Sequence, residues 1–134
     1  CAYCMEGELV AKFGIKICEL ETSKVYLFKE QSHPGRCIVA HKKHVGDMNE
    51  LTAEERAAYF EDVARVARAI MKAFNPDKVN YGAYGDTGHH LHFHLCPKYK
   101  DEYEWGGVFL MNPDKKYLTD EEYAAMIEKI KANL

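Results

Sequence analysis

From Gly88 to Pro97 the chain reads Gly-His-His-Leu-His-Phe-His-Leu-Cys-Pro, and four of its seven histidines fall inside this stretch. His90, His92 and His94 alternate strictly with Leu91, Phe93 and Leu95. A period of two puts alternate side chains on opposite faces of an extended strand. The apolar set is therefore expected to point into the core, with the three imidazoles in line on the other face. At a rise of about 3.3 Å per residue, successive rings lie roughly 7 Å apart, close enough to act on one small ligand. The stretch predicts a half-buried strand carrying a reaction site or a metal site.

The remaining elements build a sheet around that strand. Residues 16–20 and 24–29 alternate partly and flank the polar Glu21-Thr22-Ser23, as in an antiparallel hairpin. Ser32-His33-Pro34-Gly35 predicts a turn and residues 36–41 a third strand. Residues 78–84 predict a fourth, joined to the histidine strand through Gly85-Asp86-Thr87-Gly88. Two helices begin at capping boxes, Thr52 with Glu55 and Thr119 with Glu122. The first carries Tyr59, Val63, Val66, Ile70 and Phe74 at helical spacing and stops at Asn75-Pro76. Residues 98–116 are polar and spotted with aromatics, and predict an irregular arm. Short turns between neighbouring strands favour an antiparallel sheet, hence the α+β class.

The totals narrow the partners. A chain of 134 residues fits one domain, and 47% hydrophobic with 29% charged residues is an ordinary globular composition. A formal net charge of -3 leaves no basic footprint for a nucleic acid polymer, whereas a nucleotide needs only a few donors. No apolar run of eighteen residues and no signal-peptide pattern occurs, so no membrane partner is expected. Five cysteines, an odd number, argue against a disulfide framework and for a cytoplasmic protein.

Three readings of the histidine strand follow from its chemistry. The imidazoles could simply coat a solvated face, but three in strict alternation beside a glycine-rich turn speak against that. They could ligate a metal, because neutral imidazole is a common zinc ligand. Or one of them could attack phosphorus while its neighbours donate to the phosphoryl oxygens. Backbone N–H groups of Gly85-Asp86-Thr87-Gly88 and the Thr87 hydroxyl could form an anion-binding concavity beside the strand, which favours phosphorus chemistry.

His90-Leu91-His92-Phe93-His94-Leu95-Cys96 resembles the His-φ-His-φ-His-φ-φ motif of the histidine triad (HIT) superfamily, φ being apolar. Cys1-x-x-Cys4 resembles the N-terminal cysteine pair of many bacterial members. Pro34-Gly35 through Val39, then Lys42-Lys43-His44-Val45, is similar to the segment that usually reads Pro-Gly-His-x-φ-φ-φ-Pro-Lys-x-His. The resemblance covers roughly residues 1–97 and implies a HIT-like fold, a five-stranded antiparallel sheet with one long and one shorter helix. Residues 1–134 would form a single domain whose arm and helix at 98–134 vary among members. Members are usually homodimers.

The resemblance also implies an activity: cleavage of a phosphoanhydride or phosphoramidate at the α-phosphorus of a purine nucleotide. His92 matches the nucleophile, which forms a nucleotidyl-histidine that water hydrolyses. His94 matches the residue that hydrogen-bonds the phosphate, and His90 the supporting first histidine. Asn80, Gly85 and Thr87 fall where the family contacts the phosphate and leaving group, and Glu30 is a candidate for holding the ribose hydroxyls. In members with the cysteine pair a structural zinc is implied, here on Cys1, Cys4, His44 and His90. This chain departs from the pattern at Arg36, where the family has a fourth histidine, and at His41, where it has proline. A guanidinium can still hold a phosphate but cannot shuttle a proton, so a nucleotide-binding regulator with little turnover is the alternative. A catalytic zinc at the three triad histidines is the third reading.

Overall fold

The computed structural model describes residues 1–134. Five strands form one antiparallel sheet in the order β1-β2-β3-β5-β4. They are β1 (Gly14–Glu19), β2 (Ser23–Phe28), β3 (Cys37–His41), β4 (Lys78–Gly82) and β5 (His92–Lys98). The helices are α1 (Ala2–Met5), α2 (Glu8–Ala11), α3 (Ala53–Phe74) and α4 (Asp120–Ala132). β3 and β4 both run antiparallel to β5, so they are parallel to each other, and α3 is the crossover that joins them. The crossover leaves one strand position open between its two ends, and the histidine strand fills it.

The sheet has two buried faces with different partners. Val25 and Leu27 of β2, Cys37 and Val39 of β3, and Leu95 of β5 join the large core against Tyr59, Val63, Val66 and Ile70 of α3. Tyr123 and Ile130 of α4 complete that layer. The intervening Tyr26, Phe28, Ile38 and Ala40 face the other way and meet Tyr3 of α1 and Val10 of α2. His94 pairs with Ile38 and His92 with Ala40, so both imidazoles lie on this second face. Leu91, Phe93 and Leu95 pack with the main core, as the period of two requires.

Both predicted capping boxes form. The Thr52 hydroxyl accepts from Glu55 N at 3.1 Å while the Glu55 carboxylate accepts from Thr52 N at 2.8 Å. Thr119 and Glu122 repeat the exchange at 3.2 and 3.0 Å, and each cap contributes about 1 kcal/mol. Asn75 closes α3 in the left-handed region at φ 50°. No helix is long and apolar enough to cross a membrane.

β1 lies at 14–19 rather than 16–20, β2 ends at Phe28 and β4 at Gly82, and three further boundaries differ from the sequence expectation for a local reason. Ser23 belongs to β2 rather than the turn, because Thr22 N, Thr22 Oγ and Ser23 Oγ all donate to the Asp62 carboxylate on α3. β3 starts at Cys37, since Arg36 N is taken by the turn carbonyl of His33. β5 starts at His92 rather than His90. His90 N turns back to Gly88 O at 2.8 Å, and Leu91 pairs with His41 and Val45 at the end of β3. The two short helices α1 and α2 carry no periodic signal long enough to predict.

Candidate active site

On the second face of the sheet a cavity of about 1000 Å³ opens above β5. Its floor is His90, His92 and His94. Residues 86–89 and α1 form two sides, and the irregular segment 108–112 forms the opposite wall. Cavities of up to about this size bury whole small-molecule ligands.

The three imidazoles differ through their second hydrogen-bond partners. His92 Nδ1 lies 2.7 Å from the main-chain carbonyl of His90. A carbonyl only accepts, so the proton is on Nδ1 and Nε2 carries the lone pair. His94 has the reverse arrangement. Its Nδ1 lies 3.0 and 3.3 Å from Nη2 and Nε of Arg36, which only donate, so Nδ1 carries the lone pair and Nε2 the proton. His90 donates Nε2–H to the carbonyl of His41 at 2.6 Å and turns Nδ1 towards α1. The rings of His92 and His94 meet edge to face with centroids 5.4 Å apart. That is nearer than the strand rise alone gives, because the rings tilt towards each other.

Burial holds all three rings neutral. It is the first cause of the lowered pKa of His90, and of His92. His94 is pushed down to about 2 by burial, then by the charge of Arg36 and by His92. A neutral imidazole with an open Nε2, as at His92, is a competent nucleophile.

Beside the cavity, Cys1 Sγ, Cys4 Sγ, His44 Nδ1 and His90 Nδ1 all lie within 4.8 Å of one another. His90 Nδ1 is 3.2 Å from Cys1 Sγ, 3.4 Å from Cys4 Sγ and 3.1 Å from His44 Nδ1. Zinc bonds of about 2.3 Å to sulfur and 2.0–2.1 Å to nitrogen put tetrahedral ligand atoms roughly 3.3–3.8 Å apart, so the four residues fit such an ion. The carbonyl of His41 behind His90 supplies the outer contact that fixes a ligating ring. Tyr3 of α1 packs against His90 and His92, at 5.4 and 5.1 Å between ring centroids, and ties the cluster to the cavity floor. His92 and His94 are not part of this cluster, and His94 Nδ1 is occupied by Arg36, so the triad rings do not converge on one ion.

The other predicted residues divide. Thr87 lines the cavity, whereas Asn80 and Gly85 do not. Asn80 pairs with Cys96, one step beyond His94 along the same face, and is half-buried. Arg36 does not stand in the cavity as a phosphate contact. It is fully buried behind His94, and its other donors are held by Leu110 O and Met111 O at 3.0 Å each. Glu30 does not face the cavity either. Its carboxylate accepts from Ser32 N and Oγ and from the main chain of Lys115 and Lys116, at 2.6–2.9 Å. Burial alone would raise its pKa, but these donors outweigh burial and hold it low.

Several residues of the site have no signal in the sequence. The wall at 108–112 is irregular, and it is set by buried polar contacts rather than by any period. Lys98 Nζ donates to Glu104 O and Gly107 O at 2.5 and 2.7 Å, and the Glu104 carboxylate receives His33 Nε2 at 2.6 Å. His41, in place of the usual proline, accepts Lys43 N at 2.9 Å through Nδ1 and packs at a tilt against Tyr59, shaping the turn that delivers His44.

Comparison with known proteins agrees with this geometry. The HIT domain family matches residues 14–101, from the start of β1 to just past the histidine strand. The adenosine 5'-monophosphoramidase hnt1 of Schizosaccharomyces pombe is 27% identical, covering 100% of this chain and 98% of its own. A histidine triad (HIT) protein from Sinorhizobium meliloti superposes with a TM-score of 0.87 at 24% identity, over 96% of this chain and 95% of that one. A Zn-bound histidine triad family protein from Mycobacterium smegmatis gives a TM-score of 0.69 at 21% identity, over 98% and 94%. With His92 and His94 in place on β5, His90 just before it and the family matched across the sheet, the chain belongs to the HIT domain family.

Proposed function

We propose that the protein cleaves purine nucleotides at the α-phosphorus, breaking a phosphoramidate or phosphoanhydride bond, as a hydrolase or nucleotidyl transferase. The observation that carries the reading is the pair of opposed tautomers on β5, an open lone pair on His92 Nε2 next to a proton on His94 Nε2. His92 Nε2 attacks phosphorus, and the bond to the leaving group breaks with its electron pair. The amine or phosphate so released takes up a proton. The ring becomes cationic while bonded to phosphorus, and the His90 carbonyl at Nδ1 stabilises that charge. His94 Nε2–H donates to a phosphoryl oxygen throughout. Water then attacks phosphorus, loses a proton, and returns the electron pair to His92. Likeness to a monophosphoramidase supports the class of substrate.

The residues that would hold a structural zinc are Cys1, Cys4, His44 and His90, where the ion would tie the N-terminus to the floor of the cavity. The Zn-bound M. smegmatis protein of the same fold supports this assignment. Within this reading Thr87, which lines the cavity, contacts the phosphate or the leaving group. The protein acts as a homodimer, as family members usually do, and sedimentation equilibrium tests that assembly. The regulator with little turnover is the second reading, because the guanidinium of Arg36 cannot shuttle a proton, and tight AMP binding without hydrolysis of any nucleotide substrate would favour it.

The test is to incubate the protein with adenosine phosphoramidate, dinucleoside polyphosphates and ADP, quench with acid-free denaturant, and weigh the protein by mass spectrometry. A mass increase of one nucleotidyl group on the peptide containing His92, with release of AMP, is expected. AMP release with no adduct on that peptide, and equal turnover in His92→Ala, would exclude the mechanism.

A further inference from the structure

Arg36 is a buried cation with no carboxylate in contact with it: it is fully enclosed, and no carboxylate oxygen comes within 4.0 Å of its guanidinium. The group is instead sandwiched between Phe28 and Phe109, at 4.1 and 4.9 Å from the ring centroids. Burying an unpaired cation is costly, and packing alone would be served as well by an apolar side chain of similar length. What such a side chain could not supply is the set of donors. Nε and Nη2 converge on His94 Nδ1 at 3.3 and 3.0 Å, while Nη1 and Nη2 reach Leu110 O and Met111 O at 3.0 Å.

A guanidinium has five donors, no acceptor, and keeps its proton in proteins. Its partner nitrogen on His94 must therefore be an acceptor, and a neutral imidazole has its single proton on the other nitrogen. That nitrogen, Nε2, has no protein partner, and His94 lines the cavity. A histidine at position 36 could give or accept, and would leave both tautomers of His94 open. Arginine closes one of them. The same grip joins β5 to the irregular wall, because the two carbonyls it holds belong to residues that line the cavity.

We propose that Arg36 is a positioning residue that fixes His94 as the Nε2–H tautomer, a permanent donor into the cavity, and clamps the 110–111 segment to the histidine strand. Its charge, held in a low-dielectric surround behind His94, also favours an anion in front of it. The use of that donor on a phosphoryl oxygen rests on the nucleotide-cleaving reading, but the tautomer itself does not.

Two experiments test this on the full chain. In protein labelled with 15N-histidine and loaded with zinc, long-range 15N–1H correlation near neutral pH reads which ring nitrogen carries the proton. His94 is expected to be protonated at Nε2 and unprotonated at Nδ1, the reverse of His92. A wild-type His94 protonated at Nδ1, or at both nitrogens, overturns the proposal with no variant needing to fold. In the second experiment, Arg36→Met is expected to mix the His94 tautomers and to lower kcat for adenosine phosphoramidate by about tenfold to a hundredfold, with a smaller change in KM. Arg36→Lys, which keeps a cationic donor, is expected to retain the Nε2–H form and recover most of kcat. An Arg36→Met protein that keeps a pure Nε2–H His94 and its kcat overturns the proposal. If the wild-type protein turns over no nucleotide but shows the expected spectrum, the functional reading fails and the assignment of Arg36 stands.

Discussion

The ring of His92 is steered by a peptide group two residues earlier in its own strand, the carbonyl of His90, at 2.7 Å from Nδ1. The main chain that presents the nucleophile thereby also sets its tautomer and aims Nε2 at the cavity. No other residue on the cavity floor combines an open Nε2 lone pair with a neutral ring.

Replacing His92 by alanine removes that lone pair and leaves the sheet pairing of β5 with β3 intact. Turnover of adenosine phosphoramidate is expected to fall by at least about a thousandfold, as losses of covalent nucleophiles do. Binding of AMP, followed by calorimetry, is expected to change far less, because His94, Thr87 and the apolar wall remain.

Cys4→Ser removes one of the four ligand atoms that converge at the N-terminus. Zinc content by plasma emission is expected to fall below one per chain, with a loss of several kcal/mol and a drop in Tm of about 10 °C. A chelator is expected to lower the Tm of the wild type by a similar amount and leave that of the variant nearly unmoved.

Acid is expected to destabilise the fold well before the carboxylates titrate. His33, His41 and His94 are all buried, and burial lowers the pKa of each below the ordinary imidazole value. The unfolded chain therefore binds more protons than the native one once the pH drops below about 6.5. Stability is full above that value and declines as pH falls, by at most about 1.4 kcal/mol per pH unit for each ring kept neutral. Glu30 adds a second decline below the ordinary carboxylate pKa, because its native pKa is lowered and protonation breaks its contacts. Urea midpoints measured from pH 8 to pH 4 are expected to show a downward slope starting near neutrality, flatter in His41→Gln.

Glu30→Gln keeps the shape of the side chain but replaces one acceptor by a donor, which meets either Ser32 N–H on one side of the carboxyl or the N–H groups of Lys115 and Lys116 on the other. The cost is expected to be about 1–3 kcal/mol in urea unfolding. Native-state hydrogen exchange should quicken first at Ser32, Lys115 and Lys116, whose amides donate to the wild-type carboxylate.

What could be read from the sequence was whatever has a period or a local signature. The alternation of His90 to Leu95 placed Leu91, Phe93 and Leu95 against α3, and the paired Thr and Glu residues placed the starts of α3 and α4. The partners that distinguish the histidines lie far off in the chain or in the backbone. Arg36 is 58 residues from His94, and a carbonyl has no letter in the sequence. The wall at 108–112 was illegible for a related reason. Its shape comes from buried donors on Arg36 and Lys98, which satisfy an irregular main chain without leaving a repeat.

The two buried faces of the sheet also separate the consequences of substitution along each strand. In β3, Cys37 and Val39 belong to the helix-covered core, and Ile38 and Ala40 to the cavity side. In β5, Phe93 and Leu95 interleave with His92 and His94 in the same way. A saturation scan scored separately for abundance and for turnover should therefore give two combs offset by a single residue. Drift in specificity can accumulate on one comb while the other keeps the protein folded, which makes this sheet a scaffold on which chemistry and folding evolve under nearly separate constraints.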